Sequence, residues 1–128
     1  MEGRKRRILL VDDEPSIIKI IGKRLEVEGF EVVTAVDGQE ALAKAQAESF
    51  DIVVLDLMLP KVNGFEVCAA LKQHQRAKDV PIIAIYSGRG DQGDADRCLA
   101  LGAAAYVRKG QGAGPLLTEI RTLLGEST

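Results

Sequence analysis

The chain alternates between short apolar runs and longer stretches whose apolar residues recur at helical spacing. RILLV (7–11) is a compact β-rich run and predicts a first strand. PSIIKIIGKRLEVEG (15–29) opens on Pro15, favoured in a first helical turn, and closes on Gly29. Between them Ile17, Ile18, Ile21 and Leu25 fall at helical intervals. FEVVTA (30–35) predicts a second strand, and the alanine-rich GQEALAKAQAES (38–49) a second helix. DIVVLDL (51–57) is apolar through its middle, as a strand covered on both faces must be. A helix follows over 63–75, with Phe65, Cys68 and Leu71 on one side. VPIIAIYS (80–87) is a fourth strand, and 94–102 a helix stopped by Gly102. AAYV (104–107) is a short fifth strand. The stretch 114–125, which starts GP and ends in glycine, is the last helix.

Strands that alternate with helices in this way imply a parallel sheet with helices on both faces. The predicted fold class is therefore α/β, a (βα)5 doubly wound five-stranded sheet, with residues 1–128 as one domain. Ligands of such sheets bind beyond the carboxyl ends of the strands. The polar residues at those ends are thus the candidates for chemistry.

The first strand ends at Asp12 and Asp13, the third carries Asp56 near its end, the fourth ends at Ser87, and Lys109 follows the fifth. If strands one, three, four and five are neighbours, these groups converge. Two carboxylates about 4 Å apart repel by roughly 4 kcal/mol at an effective dielectric of 20. A divalent cation relieves that repulsion, and Mg²⁺ prefers oxygen ligands and often bridges carboxylates to phosphate. Any one of these acids alone reads as a helix N-cap, and Asp13 stands before Glu14 and Pro15 where a cap belongs. Acids after two different strands, with a serine and a lysine at matching places, favour a shared site instead. A carboxylate can act as a nucleophile toward phosphorus, and Asp56, from the central strand, is the best placed. Charge on the phosphoryl oxygens would then be met by Mg²⁺, the Lys109 ammonium and the Ser87 hydroxyl.

The segments ILLVDDEP, DIVVLDLMLPKVNG, VPIIAIYSGRG and LGAAAYVRK, in this order and spacing, resemble the receiver domains of two-component response regulators. The resemblance covers nearly the whole chain and implies a flavodoxin-like fold. It implies that Asp56 is the phosphoacceptor and that Mg²⁺ is held by Asp56, directly by Asp13, by Asp12 largely through water, and by the backbone carbonyl of Met58. It makes Ser87 the switch hydroxyl, Tyr106 the switch aromatic and Lys109 the family's lysine. Counting from Pro81 would put Tyr86 in the place of Ser87, but counting back from Lys109, and the small-residue loop SGRG, favour Ser87. Gly110 stands where the family usually has proline, in the glycine-rich loop KGQGAGP. The implied partner is a histidine kinase or phosphotransfer protein. The implied interaction face, for an output domain or a homodimer, is the fourth helix, fifth strand and fifth helix. The chain itself is expected to carry no output domain and to be no enzyme beyond its own phosphotransfer and dephosphorylation.

Composition narrows the alternatives. A formal charge of −2 gives no strong field toward nucleic acid or membrane. Cys68 and Cys98 lack a CxxC spacing, so reduced, buried thiols and a cytoplasmic location are expected. No apolar run approaches a membrane span, and ILLV after the basic residues 4–7 is too short for a signal peptide. That basic cluster, with nothing aromatic interleaved, reads as a solvated arm. GRGDQG (88–93) matches a dinucleotide fingerprint in letters, but it follows the fourth strand and lacks the later acid. His74, the single histidine, sits on a polar stretch and is expected to face solvent. An aspartyl-phosphate hydrolase would place a second Asp two residues after the nucleophile, where this chain has Met58. The remaining alternative is a pseudo-receiver that binds proteins without phosphorylation.

Overall fold

The computed structural model describes residues 5–57, 59, 63–86, 92–110 and 112–125. Its elements run β1 (Arg7–Val11), α1 (Pro15–Val27), β2 (Glu31–Ala35), α2 (Gly38–Ala47), β3 (Ile52–Asp56), α3 (Gly64–Gln73), β4 (Ile82–Tyr86), α4 (Gln92–Ala100), β5 (Ala105–Arg108) and α5 (Gly114–Leu123). The five strands form one parallel sheet in the order β2-β1-β3-β4-β5. This is the doubly wound architecture the alternating pattern predicts. The order reverses between β1 and β3, so a crevice opens where both strands end.

Strand residues alternate between two cores. Leu9, Val11, Val53, Leu55, Ile82 and Ala84 face α2, α3 and α4. Ile8, Leu10, Ile52, Val54, Ile83 and Ile85 face α1 and α5. All five β3 residues are buried, which is why that strand reads as one apolar run ending in a carboxylate.

The glycines that close α1 and α4 lie two residues beyond the last helical residue, at φ +101 (Gly29) and +112 (Gly102). After α1, Phe30 N–H donates to Leu25 O at 3.1 Å and Gly29 N–H to Glu26 O at 3.0 Å. After α4, Ala103 N–H donates to Cys98 O at 3.0 Å and Gly102 N–H to Leu99 O at 3.1 Å. Both are Schellman closures, which a side chain at the glycine would strain. They explain why helices drawn up to the glycine overshoot.

The amino-terminal pole of the sheet is laced together by Arg7. Its guanidinium reaches Glu31 (2.8 Å), Glu48 (2.7 Å) and the Ser49 carbonyl (2.7 Å), and lies 4.9 Å from the Phe50 ring centre. Its N–H donates to Asp51 at 2.7 Å. One residue thus joins β1, β2, the end of α2 and the approach to β3.

Candidate phosphoryl-acceptor site

Three elements of sequence build the opposite pole. β1 runs straight into Asp12, whose N–H still pairs with the Ala35 carbonyl at 3.1 Å, so its side chain is fixed by the sheet. β3 delivers Asp56 as its last residue, opposite Ile85. β5 ends at Arg108, and Lys109 follows it toward the same crevice. Asp12 and Asp56 are the buried charged side chains among the described residues, each 1% exposed.

Carboxylate oxygens of Asp12, Asp13 and Asp56 lie within 4.8 Å of one another, with Asp13 on the exposed side. The Lys109 ammonium stands 3.1 Å from Asp56 Oδ2, 3.4 Å from Asp12 Oδ2 and 2.5 Å from Glu14 Oε1. Asp12 Oδ1 accepts the Glu14 N–H at 2.9 Å. Asp12 Oδ2 is buried yet has no hydrogen-bond donor among the described residues, its lysine contact being ionic only. A buried acceptor left in this way calls for a cation. An all-oxygen set of three carboxylates suits Mg²⁺ in charge and in donor type.

The electrostatics carry the same strain. Desolvation pushes the Asp12 carboxyl up to about 6, with the Asp56 charge adding to it, while the Glu14 N–H and Lys109 pull the other way. Burial alone would lower the Lys109 ammonium. The hydrogen bonds it donates to Glu14 and Asp56 and the charges of Asp56 and Asp12 outweigh it and hold the ammonium above its ordinary value.

α3 is anchored directly beside Asp56. Asn63 caps it by accepting the Glu66 N–H at 3.0 Å, and Gly64 N–H donates to Leu57 O at 3.1 Å. A Cβ on Gly64 would lie 2.4 Å from Leu57 Cα and 2.7 Å from Asp56 O, so only glycine lets the helix start there.

The structure therefore brings Asp12, Asp13, Asp56 and Lys109 together. Met58 and Ser87 lie outside the described residues. Tyr106 is half-buried against the core on the α2–α4 side. His74 is half-buried rather than simply solvent-facing, and its Nδ1 accepts the Arg76 N–H at 3.2 Å. Asp13 does not cap α1: the cap position is Glu14, whose side chain makes no capping bond. Gly110 has φ +92, a conformation closed to proline, so the turn after Lys109 differs in kind from one built on proline. Lys109 is nevertheless held against both buried acids. Glu14, which sequence reasoning treated only as a neighbour of the cap, is the lysine's shortest contact. Its place two residues after Asp12, across the bend that follows β1, was the available signal.

The chain belongs to the response regulator receiver domain family, whose model matches residues 8–121. It is a receiver domain of the two-component kind, a family that works through phosphorylation in signal transduction. It is 46% identical over 124 residues to a probable transcriptional regulator ycf27 of Cyanophora paradoxa, covering 97% of this chain and 50% of that one. The chain spans about half the length of the curated relatives it matches. Its fold matches the chemotaxis response regulator CheY4 of Vibrio cholerae at a TM-score of 0.87 and 32% identity, covering 94% of this chain and 99% of that one. It also matches the receiver domain of sensor histidine kinase PA1611 of Pseudomonas aeruginosa, at a TM-score of 0.87 and 28% identity over 96% of this chain and all of that one. That structure holds a magnesium ion in its active-site cleft.

Proposed function

We propose that this domain takes a phosphoryl group on Asp56 from the phosphohistidine of a histidine kinase or phosphotransfer protein. The observation that carries the reading is the pairing of a buried nucleophile-class carboxylate with Lys109 at 3.1 Å, beside an Asp12 oxygen with no hydrogen-bond donor among the described residues. Asp12, Asp13 and Asp56 would hold Mg²⁺, with the Met58 carbonyl as a further ligand. Bound there, the ion supplies positive charge to the carboxylates and to the phosphoryl oxygens. In the transfer an Asp56 oxygen attacks phosphorus in line, the new P–O bond forms as the P–N bond to imidazole breaks, and the donor histidine leaves with the electron pair. Lys109, already within reach of Asp56, meets one phosphoryl oxygen through a charge-assisted hydrogen bond.

Ser87 is the candidate to meet another oxygen, and Tyr106 to turn inward when Ser87 moves. Tyr106 is half-buried on the α4 side, which suits a ring with two positions. The partner face would be α4–β5–α5, offered to an output domain or a second copy. On this reading the domain catalyses only its own phosphorylation and dephosphorylation, and it works in the cytoplasm. Among the described residues no helix is long and apolar enough to cross a membrane. The rival reading is a phosphorylation-independent binding module, for which Gly110 is the best argument; the 3.1 Å contact between Lys109 and Asp56 supports the phosphoacceptor reading instead.

Intact-protein mass spectrometry after incubation with acetyl phosphate, with and without Mg²⁺, tests the proposal. One Mg²⁺-dependent phosphoryl adduct, absent in Asp56→Ala, is the expected result. No adduct under any condition would favour the binding module. Ser87→Ala should still be phosphorylated but fail to shift the amide resonances around Tyr106; a full shift in that variant would remove Ser87 from the switch.

A further inference from the structure

Lys109 faces three carboxylates, and they are not equivalent. Asp12 and Asp56 are 1% exposed, whereas the Glu14 side chain is 53% exposed and lies outside the acidic nest. Yet Glu14 makes the shortest contact, 2.5 Å, against 3.1 Å to Asp56 and 3.4 Å to Asp12. Its position is preset by the chain. Glu14 precedes Pro15, which disfavours helical backbone, and it sits at φ −92, ψ 113. Its N–H is pinned on Asp12 Oδ1 at 2.9 Å. The side chain therefore leaves the same turn as Asp12 and meets the ammonium from the solvent side.

A divalent cation among Asp12, Asp13 and Asp56 would compete with Lys109 for the same oxygens and repel it. An ammonium has three donors and no directional fork, so it can give up some partners and keep others. Without an outer anion, cation entry would leave Lys109 part-buried and short of a counter-charge. With Glu14 in place, the ammonium can shift outward and stay paired.

We infer that Glu14 is a positioning residue that holds Lys109 at the rim of the acidic nest and so favours the entry of Mg²⁺. The inference rests on the proposed Mg²⁺ site. It assigns Glu14 a role through Lys109 rather than as a ligand or as one more negative charge.

A double-mutant cycle read by Mg²⁺ calorimetry at fixed ionic strength separates these roles. Glu14→Gln should weaken Mg²⁺ binding about threefold, the scale of a partly exposed ion pair. In a Lys109→Met background the same change should have no effect on the Mg²⁺ constant. Equal weakening in both backgrounds would make Glu14 a simple charge and overturn the inference, as would unchanged or tighter binding in Glu14→Gln with Lys109 intact. Glu14→Asp keeps the charge and loses a methylene of reach. It should behave like Glu14→Gln, and binding like the parent's would again refute the role; this arm stands even if the Lys109 variants are unfolded. If the parent itself binds no Mg²⁺ while its melting curve shows a folded protein, the proposed metal site fails, and this inference with it.

Discussion

Replacing Asp12 by Asn should make the metal-free protein more stable, by an amount the structure sets. Asp12 is 1% exposed, and desolvation with the Asp56 charge raises its carboxyl from 3.8 to about 6. Asn has nearly the same shape and keeps an Oδ1 to accept the Glu14 N–H, now at 2.9 Å. A tenfold change in proton affinity corresponds to about 1.4 kcal/mol, so the ionised Asp12 costs the folded state about 3 kcal/mol. For a domain of this size that is roughly 10 °C in Tm. The sign follows from proton counting. Below about pH 4 the group is protonated in both states and contributes nothing. Between about 4 and about 6 the folded protein keeps a proton the unfolded chain has released, so the parent loses stability as pH rises. Above about 6 both forms are ionised and the full penalty stands. Urea unfolding in EDTA at several pH values should show parent and Asp12→Asn converging near pH 4 and separating toward pH 7. Millimolar Mg²⁺ should then narrow the gap by stabilising the parent more than the variant. A variant no more stable than the parent at pH 7 in EDTA would refute the claim that the buried carboxylates are frustrated without a cation.

Other changes probe the supports of the site. Gly64→Ala places a methyl against the Leu57 and Asp56 backbone and should cost about 1–3 kcal/mol in denaturant unfolding, with slower phosphorylation by acetyl phosphate. Parent-like stability and rate would show that the start of α3 is free to shift. Gly110→Ala meets no neighbour within 4 Å but must hold φ +92, so thermal melts should show a loss of about 1–2 kcal/mol from backbone strain alone. Arg121→Ala breaks the 2.6 Å pair with Glu28, both side chains about a quarter exposed, and thermal melts should show only a small loss of stability, smaller still in high salt.

The order of elements was legible because β3 is buried on both faces and the helices are amphipathic, so hydrophobic period alone separates them. Asp12, Asp13, Asp56 and Lys109 were legible because topology brings strand ends together whatever the rotamers. Helix ends were less so: a glycine marks a closure, but which residue stops being helical depends on hydrogen bonds such as Phe30 to Leu25. For α4 this moved the helix from the expected 94–102 to Gln92–Ala100. The cap of α1 falls one residue later than Asp13 because Glu14, set before Pro15, takes the extended backbone there. The part taken by Glu14 was legible only as nearness to Asp12, since its contact depends on where one flexible lysine, 95 residues further on, sends its ammonium.

The knot of contacts around Arg7 means that cohesion and tension occupy opposite ends of the same sheet. The end where strands begin is cross-linked by one guanidinium to two glutamates, a carbonyl and a ring. The end where they finish gathers like charges that oppose folding until a counter-ion arrives. Five short parallel strands make a stiff plate between them, so the firm end can hold the uneasy end in register. Selection can therefore retune the acidic rim, residue by residue, with little risk to the fold. An engineer wanting a sturdier scaffold has the converse option of working around Arg7 and leaving the chemistry alone.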